Sequence, residues 1–205
     1  MAHKFFEDKI PHNGYTYEEY CKKTQNQINN ANLANLSKKE TDRLKIIKLN
    51  QQRSCRIDKH HIVADEVREE VDKIFEHQIW MVITENWCGD SAQCVPYIAK
   101  IASLNNNIDF RIILRDSRPE IMDLYLTNGT RSIPKLIVFD EDGNEKFSWG
   151  PRPKEAQKLF SQWKAGGTVK PELYEKLHLW YSRDKGKNIE NEILQLVKNI
   201  NLEVV

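Results

Sequence analysis

The chain has 205 residues, 40% of them hydrophobic and 30% charged, enough for one packed domain with appendages and incompatible with a wholly disordered polymer. A mean hydropathy of −0.67, with no apolar run near ~18 residues, excludes a transmembrane helix. Thirty-one Lys and Arg against 30 Asp and Glu leave a net charge of +1, so no global imbalance points to nucleic acid or to an anionic membrane.

Met1 to Asp8 has no long apolar stretch, so no secretory signal is expected there. Four cysteines are too few for a disulfide-stapled scaffold. The expected setting is a reducing cytoplasm, where an exposed cysteine serves chemistry rather than structure. Lys9 to Gly14 reads as coil. Thr16 then caps a helix running to about Asn30, with Glu18 and Glu19 in its first turn. The asparagine-rich stretch from Asn29 to Asn35 ends it. Ser37 and Glu40 have capping-box spacing and open a second helix with Leu44, Ile47 and Cys55 on one face. A third helix is expected from Asp58 to about His77, with Ile62, Val63, Val67, Val71, Ile74 and Phe75 on one stripe.

The pattern then changes. Ile79 to Thr84 is a short apolar run rich in β-formers, hence a buried strand. A helix from Cys88 to Leu104, a strand from Ile108 to Leu114 and a short helix from Pro119 to Leu126 follow. Lys135 to Phe139 is a third strand, and the turn Glu141-Asp142-Gly143-Asn144 leads into a fourth, Glu145 to Trp149. Pro153 to Ala165 is a helix ended by Gly166-Gly167. Pro171 to Asn201 forms two more helices broken near Lys185-Gly186. Strands separated by helices are expected to pair in parallel through right-handed crossovers, with an antiparallel strand added by the closing hairpin. Residues 1–57 carry a local excess of +5, read as a solvated helical face.

Trp87-Cys88-Gly89-Asp90-Ser91 sits directly after a buried strand and opens a helix. Unpaired N–H groups and the positive end of the helix dipole converge on a thiol at that place, and both stabilise the reactive thiolate. Pro96 lies eight residues after Cys88. Ile133-Pro134 stands at the start of a strand, after a loop containing Asn128-Gly129, and is a candidate cis peptide.

Trp-Cys-Gly with a proline eight residues on, and Gly129-Thr130-Arg131-Ser132-Ile133-Pro134 before a strand, a hairpin and Gly150, resembles thioredoxin over roughly residues 58–167. With Arg-Ser-Ile-Pro-Lys and Trp-Gly-Pro-Arg-Pro, it is similar to a group of bacterial thioredoxin-family proteins with a Cys-Gly-Asp-Ser site. The resemblance implies an α/β thioredoxin-like fold, a central four-stranded mixed sheet flanked by helices. Residues 1–57 would be a helical N-terminal extension, 58–167 the thioredoxin-like domain, and 168–205 a C-terminal helical extension packed on it. It also implies Cys88, Ser91 and Pro134 as the chemical centre. Trp87, Gly89, Asp90, Ile133, Arg131, Gly150 and Arg152 would form or support the substrate groove.

Three departures matter. Ser91 replaces the second cysteine, so it cannot attack a mixed disulfide and can only hydrogen-bond to the Cys88 sulfur. Cys94 lies about 9 Å along the helix and about 240° around it from Cys88, out of reach of a disulfide, and is expected to pack on the sheet. Cys21 and Cys55 would resolve Cys88 only if the N-terminal helices fold over the site. Asp90 replaces a proline: it suits a helix N-terminus but opposes thiolate formation two residues away. Arg131 and Arg152, in the flanking loops, are expected to offset it. Val82 replaces a buried aspartate, leaving Glu85 and Asp90 as nearby carboxylates expected closer to solvent.

No metal site is expected, since His60 and His61 point about 100° apart on a helix. No phosphate loop occurs. Trp163, Tyr174, Leu177, Trp180 and Tyr181 are expected to pack against the domain. Three functions are compatible with the motifs. The first is monothiol thiol–disulfide exchange at Cys88, acting on a protein disulfide or a small-molecule thiol with an external resolving thiol and no cofactor. The second is a redox-inactive binding module for a protein partner. The third follows from the similarity of Cys-Gly-Asp-Ser to monothiol glutaredoxins, which hold an iron–sulfur cluster with glutathione; the glycine pair those proteins use for glutathione is absent.

Overall fold

The computed structural model describes residues 3–203. The helices are α1 (Lys4–Glu7), α2 (Tyr17–Asn29), α3 (Lys38–His60), α4 (Asp65–Val71), α5 (Gly89–Ala102), α6 (Pro119–Met122), α7 (Lys154–Ala165), α8 (Lys170–Asp184) and α9 (Lys187–Glu203). The strands are β1 (Gln78–Thr84), β2 (Ile108–Leu114), β3 (Lys135–Asp140) and β4 (Glu145–Trp149). Capping boxes open α2 and α3: the Thr16 and Ser37 hydroxyls accept from Glu19 and Glu40 N–H, and each glutamate accepts at 2.8 Å from the cap residue's own N–H.

The strands form one mixed sheet in the order β2-β1-β3-β4. β1 and β2 are parallel, from Gln78 opposite Ile108 to Thr84 opposite Leu114. β3 is antiparallel to both β1 and β4, so the expectation of parallel pairing fails for it. The reason is length. α5, with 14 residues, spans about 21 Å and carries the chain back to the start of β2. α6 has four residues, about 6 Å, and cannot return the chain along a strand of about 23 Å. The chain enters β3 at the end where β2 finished, with Lys135 opposite Ile83. That leaves Ile133-Pro134 at the same sheet end as the start of α5.

Alternation along β1 divides the core. Trp80 and Val82 pack with Leu136, Val138 and Ile112 against α3, α4, α5, α8 and α9. Ile79, Met81 and Ile83 pack with Ile137 and Phe139 on the opposite face, covered by α1 and α6. Phe5 and Phe6 close that second face, their rings 6.1 and 5.2 Å from Phe139.

The helix expected over Asp58 to His77 is two pieces. α3 continues to His60, the chain is extended through His61, and α4 ends at Val71. Val63, Val67, Val71 and Ile74 are buried, but Ile62 and Phe75 are each 84% exposed, because the break rotates them off the stripe. α6 stops at Met122 instead of Leu126. α8 and α9 part at left-handed Lys185 (φ 54°) and Gly186 (φ 86°). α9 is tied to the sheet by Glu192, which accepts from Trp149 Nε1 at 2.7 Å. Among the described residues, no helix is long and apolar enough to cross a membrane.

Candidate functional site

Cys88 is the N-cap of α5, with extended backbone (φ −81°, ψ 122°) and a partly exposed side chain. Its Sγ donates to the Ile133 carbonyl at 3.3 Å. The Ile133–Pro134 peptide is cis, and the bond to the Ile133 carbonyl sets the thiol beside that imide at the end of β1 and the start of β3. Burial and the neighbouring Asp90 charge raise the Cys88 pKa above the ordinary thiol value; the first amides of α5 and the Ser91 hydroxyl pull the other way and are outweighed. The thiol therefore rests protonated at neutral pH. The hydrogen bond from Ser91 to the Cys88 sulfur is not formed: the Ser91 Oγ is buried without a hydrogen-bond partner.

Asp90 is 7% exposed, not near solvent as expected. One carboxylate oxygen accepts from Arg152 Nη2 at 2.6 Å, and the other from the Tyr181 hydroxyl at 2.6 Å. Cys94, fully buried, donates its thiol to the same Tyr181 oxygen at 3.6 Å. Burial opposes the Arg152 charge, yet the Asp90 carboxylate holds its pKa above the ordinary guanidinium value. Arg152 thus does offset Asp90, as expected. Arg131 does not: it is half-exposed and forms a bidentate pair with Asp123 at 2.6 and 2.7 Å instead.

Around Pro134 the walls are held by backbone. Gly150 has φ 112°, and a Cβ there would clash with the Pro134 carbonyl oxygen, so only glycine lets the two loops touch. Lys135, 9% exposed, donates to the Gly150 carbonyl at 3.3 Å. Trp87 lies between two guanidinium groups, Arg115 at 4.6 Å and Arg43 at 5.3 Å from its ring centre. Glu85 is also buried, 7% exposed, contrary to expectation. Burial raises its pKa, partly offset by the Asp116 N–H at 2.9 Å.

The N-terminal helices do fold over the start of α5. Asn50 Nδ2 donates to the Asn86 carbonyl at 3.0 Å, and Ser54 Oγ to the Ala92 carbonyl at 3.2 Å. Their cysteines look elsewhere. Burial pushes the Cys21 thiol up to about 11, while Cys55 accepts from Gln51 Nε2 at 3.6 Å. From the other end, His178 of α8 covers Gly89, where an added Cβ would lie 2.9 Å from the imidazole. Burial, with Arg53 nearby, lowers the His178 pKa to about 4. Tyr181, read only as packing, and His178, Arg43 and Arg115 are the site neighbours that sequence reasoning missed. Their partners lie far away in the chain, 91 residues for Tyr181 and Asp90, and no local spacing announces them. Among the described residues, no cluster of three metal-ligating side chains occurs.

The arrangement offers one thiol at a helix start, an apposed cis imide, and a buried Asp–Arg–Tyr lock beneath. Among known proteins, two solved structures are similar over nearly the whole chain at 14% identity. One is PA1234, a protein of unknown function from Pseudomonas aeruginosa (TM-score 0.61, covering 98% of this chain and 99% of that one). The other is an HIV epitope-scaffold (TM-score 0.56, covering 94% and 97%). At that identity they establish the fold alone. No curated protein matches the chain. A family model described as thioredoxin matches residues 36–164. With its mixed four-stranded sheet and flanking helices, the chain belongs to the thioredoxin family.

Proposed function

We propose that the chain performs thiol–disulfide exchange of monothiol type at Cys88, within a Cys-Gly-Asp-Ser site. The observation that carries this reading is the partly exposed Cys88 at the start of α5, with its Sγ 3.3 Å from the carbonyl that precedes cis Pro134. Deprotonated Cys88 attacks one sulfur of a partner disulfide. The new S–S bond joins Cys88 to that sulfur, and the other leaves as thiolate and takes up the proton Cys88 lost. An external thiolate then attacks the partner sulfur and displaces Cys88 as thiolate, which takes up the proton the external thiol lost, so the partner disulfide is replaced by one to the external thiol with no net change in the chain. Pro134 shapes the groove and Ile133 offers backbone to an extended substrate. Ser91 leaves the mixed disulfide without an internal resolver.

The raised Cys88 pKa favours a second reading, in which the groove binds a protein partner and the thiol is idle. Intact-mass analysis after incubation with hydroxyethyl disulfide separates the two. Exchange predicts one adduct on Cys88, forming faster as pH rises from 7 to 9 and removed by added thiol. Adducts on exposed Cys55 with Cys88 unmodified would leave only the binding reading.

A further inference from the structure

A cleft of about 840 Å³ runs between the loop at residues 127–132, the Gly150–Pro151 turn, α7 and the start of α8. Ser132 and Arg152 are among its lining residues. Ser132 precedes the residue whose carbonyl takes the Cys88 thiol, and Arg152 holds Asp90. The charge of this cleft is one-sided. Arg152, Lys154, Lys164 and Lys170 line it, and no Asp or Glu does, in a chain whose net charge is only +1. Arg152 is neutralised by Asp90. The three lysines are exposed and form no ion pair among the described residues. Between them lies an aromatic surface, Phe160 and Tyr174, with ring centres 6.1 Å apart.

We propose that this cleft docks an acidic, extended segment of a protein partner and delivers it to Cys88. The spread of the lysines selects the occupant. Lys154 and Lys164 sit at opposite ends of α7, about 15 Å apart along its axis. One phosphate or carboxylate meets both only if the two lysines stretch fully towards each other, whereas an extended peptide covers that length in four or five residues and can place a carboxylate at each end. Phe160, with Arg152 stacked over one face at 4.2 Å, and Tyr174, tilted to it by 58°, give an apolar side chain of the same segment an angled aromatic wall between the charges. Lys170 and Tyr174 belong to α8, outside residues 36–164 matched by the family model, so this wall is particular to the appended tail. The proposal names the substrate class for the exchange reading and rests on it for delivery to Cys88.

The test uses full-length protein and two readouts. In the first, a Glu-rich peptide, a neutral peptide and a Lys-rich peptide each carry one cysteine as a 2-thiopyridyl disulfide, and release of thiopyridone is followed. The acidic peptide should react about tenfold faster than the neutral one at low salt, and the Lys-rich peptide slower. The advantage should shrink at high salt and vanish in Lys154→Glu/Lys164→Glu/Lys170→Glu. Equal rates for all three peptides would overturn the docking proposal while leaving exchange at Cys88 intact. In the second, a labelled cysteine-free Glu-rich peptide is titrated into Cys88→Ser protein by fluorescence anisotropy. Salt-sensitive binding that is lost in Lys170→Glu supports docking whatever Cys88 does. No binding there overturns it, and binding without thiopyridone release counts against the exchange reading alone.

Discussion

Asp90→Asn removes one charge and keeps the shape. In the folded protein the Asp90 and Arg152 side chains are 8% and 12% exposed and 2.6 Å apart. Losing the carboxylate leaves a guanidinium desolvated and uncompensated, which costs about 3–5 kcal/mol when one member of a buried pair is removed. For a domain of this size, each kcal/mol moves the melting temperature by about 2–4 °C, so a fall of roughly 6–20 °C is expected. Reactivity should move the opposite way. With its like-charged neighbour gone and Arg152 unpaired, the Cys88 thiolate is favoured, and iodoacetamide alkylation of Cys88 should shift to lower pH. Scanning calorimetry and alkylation profiles between pH 6 and 10, read by peptide mass at Cys88, measure both. Arg152→Met combined with Asp90→Leu should recover most of the stability, since neither charge is then stranded. A variant Asp90→Asn that melts within about 1 °C of the wild type with an unmoved profile would refute the lock.

Other outcomes follow from the same neighbours. Tyr181→Phe removes a hydroxyl donated to a carboxylate at 2.6 Å and should cost about 1.5–3 kcal/mol in urea unfolding. Gly150→Ala should destabilise clearly and slow Cys88 exchange, because the loop must move away from Pro134; unchanged urea midpoints would contradict that packing. His178, lowered to about 4 when folded, is neutral in the native state and protonated in the unfolded chain below about 6.5. Its contribution is therefore present above that value and lost as pH falls from 6.5 towards 4, by roughly 1–2 kcal/mol once its partial exposure is allowed for. In His178→Gln, urea midpoints should fall less steeply across that window.

Legibility in the sequence followed the range of the interactions. β2 and β4 begin and end where their apolar and turn residues say, and the capping boxes at Thr16 and Ser37 are local hydrogen bonds written in adjacent residues. The third helix misled because Ile62, Val63, Val67, Val71, Ile74 and Phe75 fit one stripe as letters, and the extended break at His61 carries neither Pro nor Gly to mark it. The direction of β3 depended on α6 being a single turn, and the four extra residues expected of it hid that. At the site, Pro134 and Gly150 stood out because each is a residue type that its backbone position demands, and Cys88 because a thiol stands where a buried strand hands over to a helix. Ser91 and Arg131 were placed by motif alone; one finds no partner and the other prefers Asp123. The hold of Tyr181 and Arg152 on Asp90 joins residues 91 and 62 apart, which only the folded tail and the β4–α7 loop bring together.

The central claim is that Cys88 is an exchange thiol with no internal resolver, and trapping in cells tests it most directly. After acid quench and alkylation, non-reducing peptide mass spectrometry should find Cys88 in intermolecular disulfides with protein partners, and none at Cys88 joined to Cys21, Cys55 or Cys94. Cys88 recovered only as free alkylated thiol, in cells whose other protein disulfides are trapped normally, would contradict it.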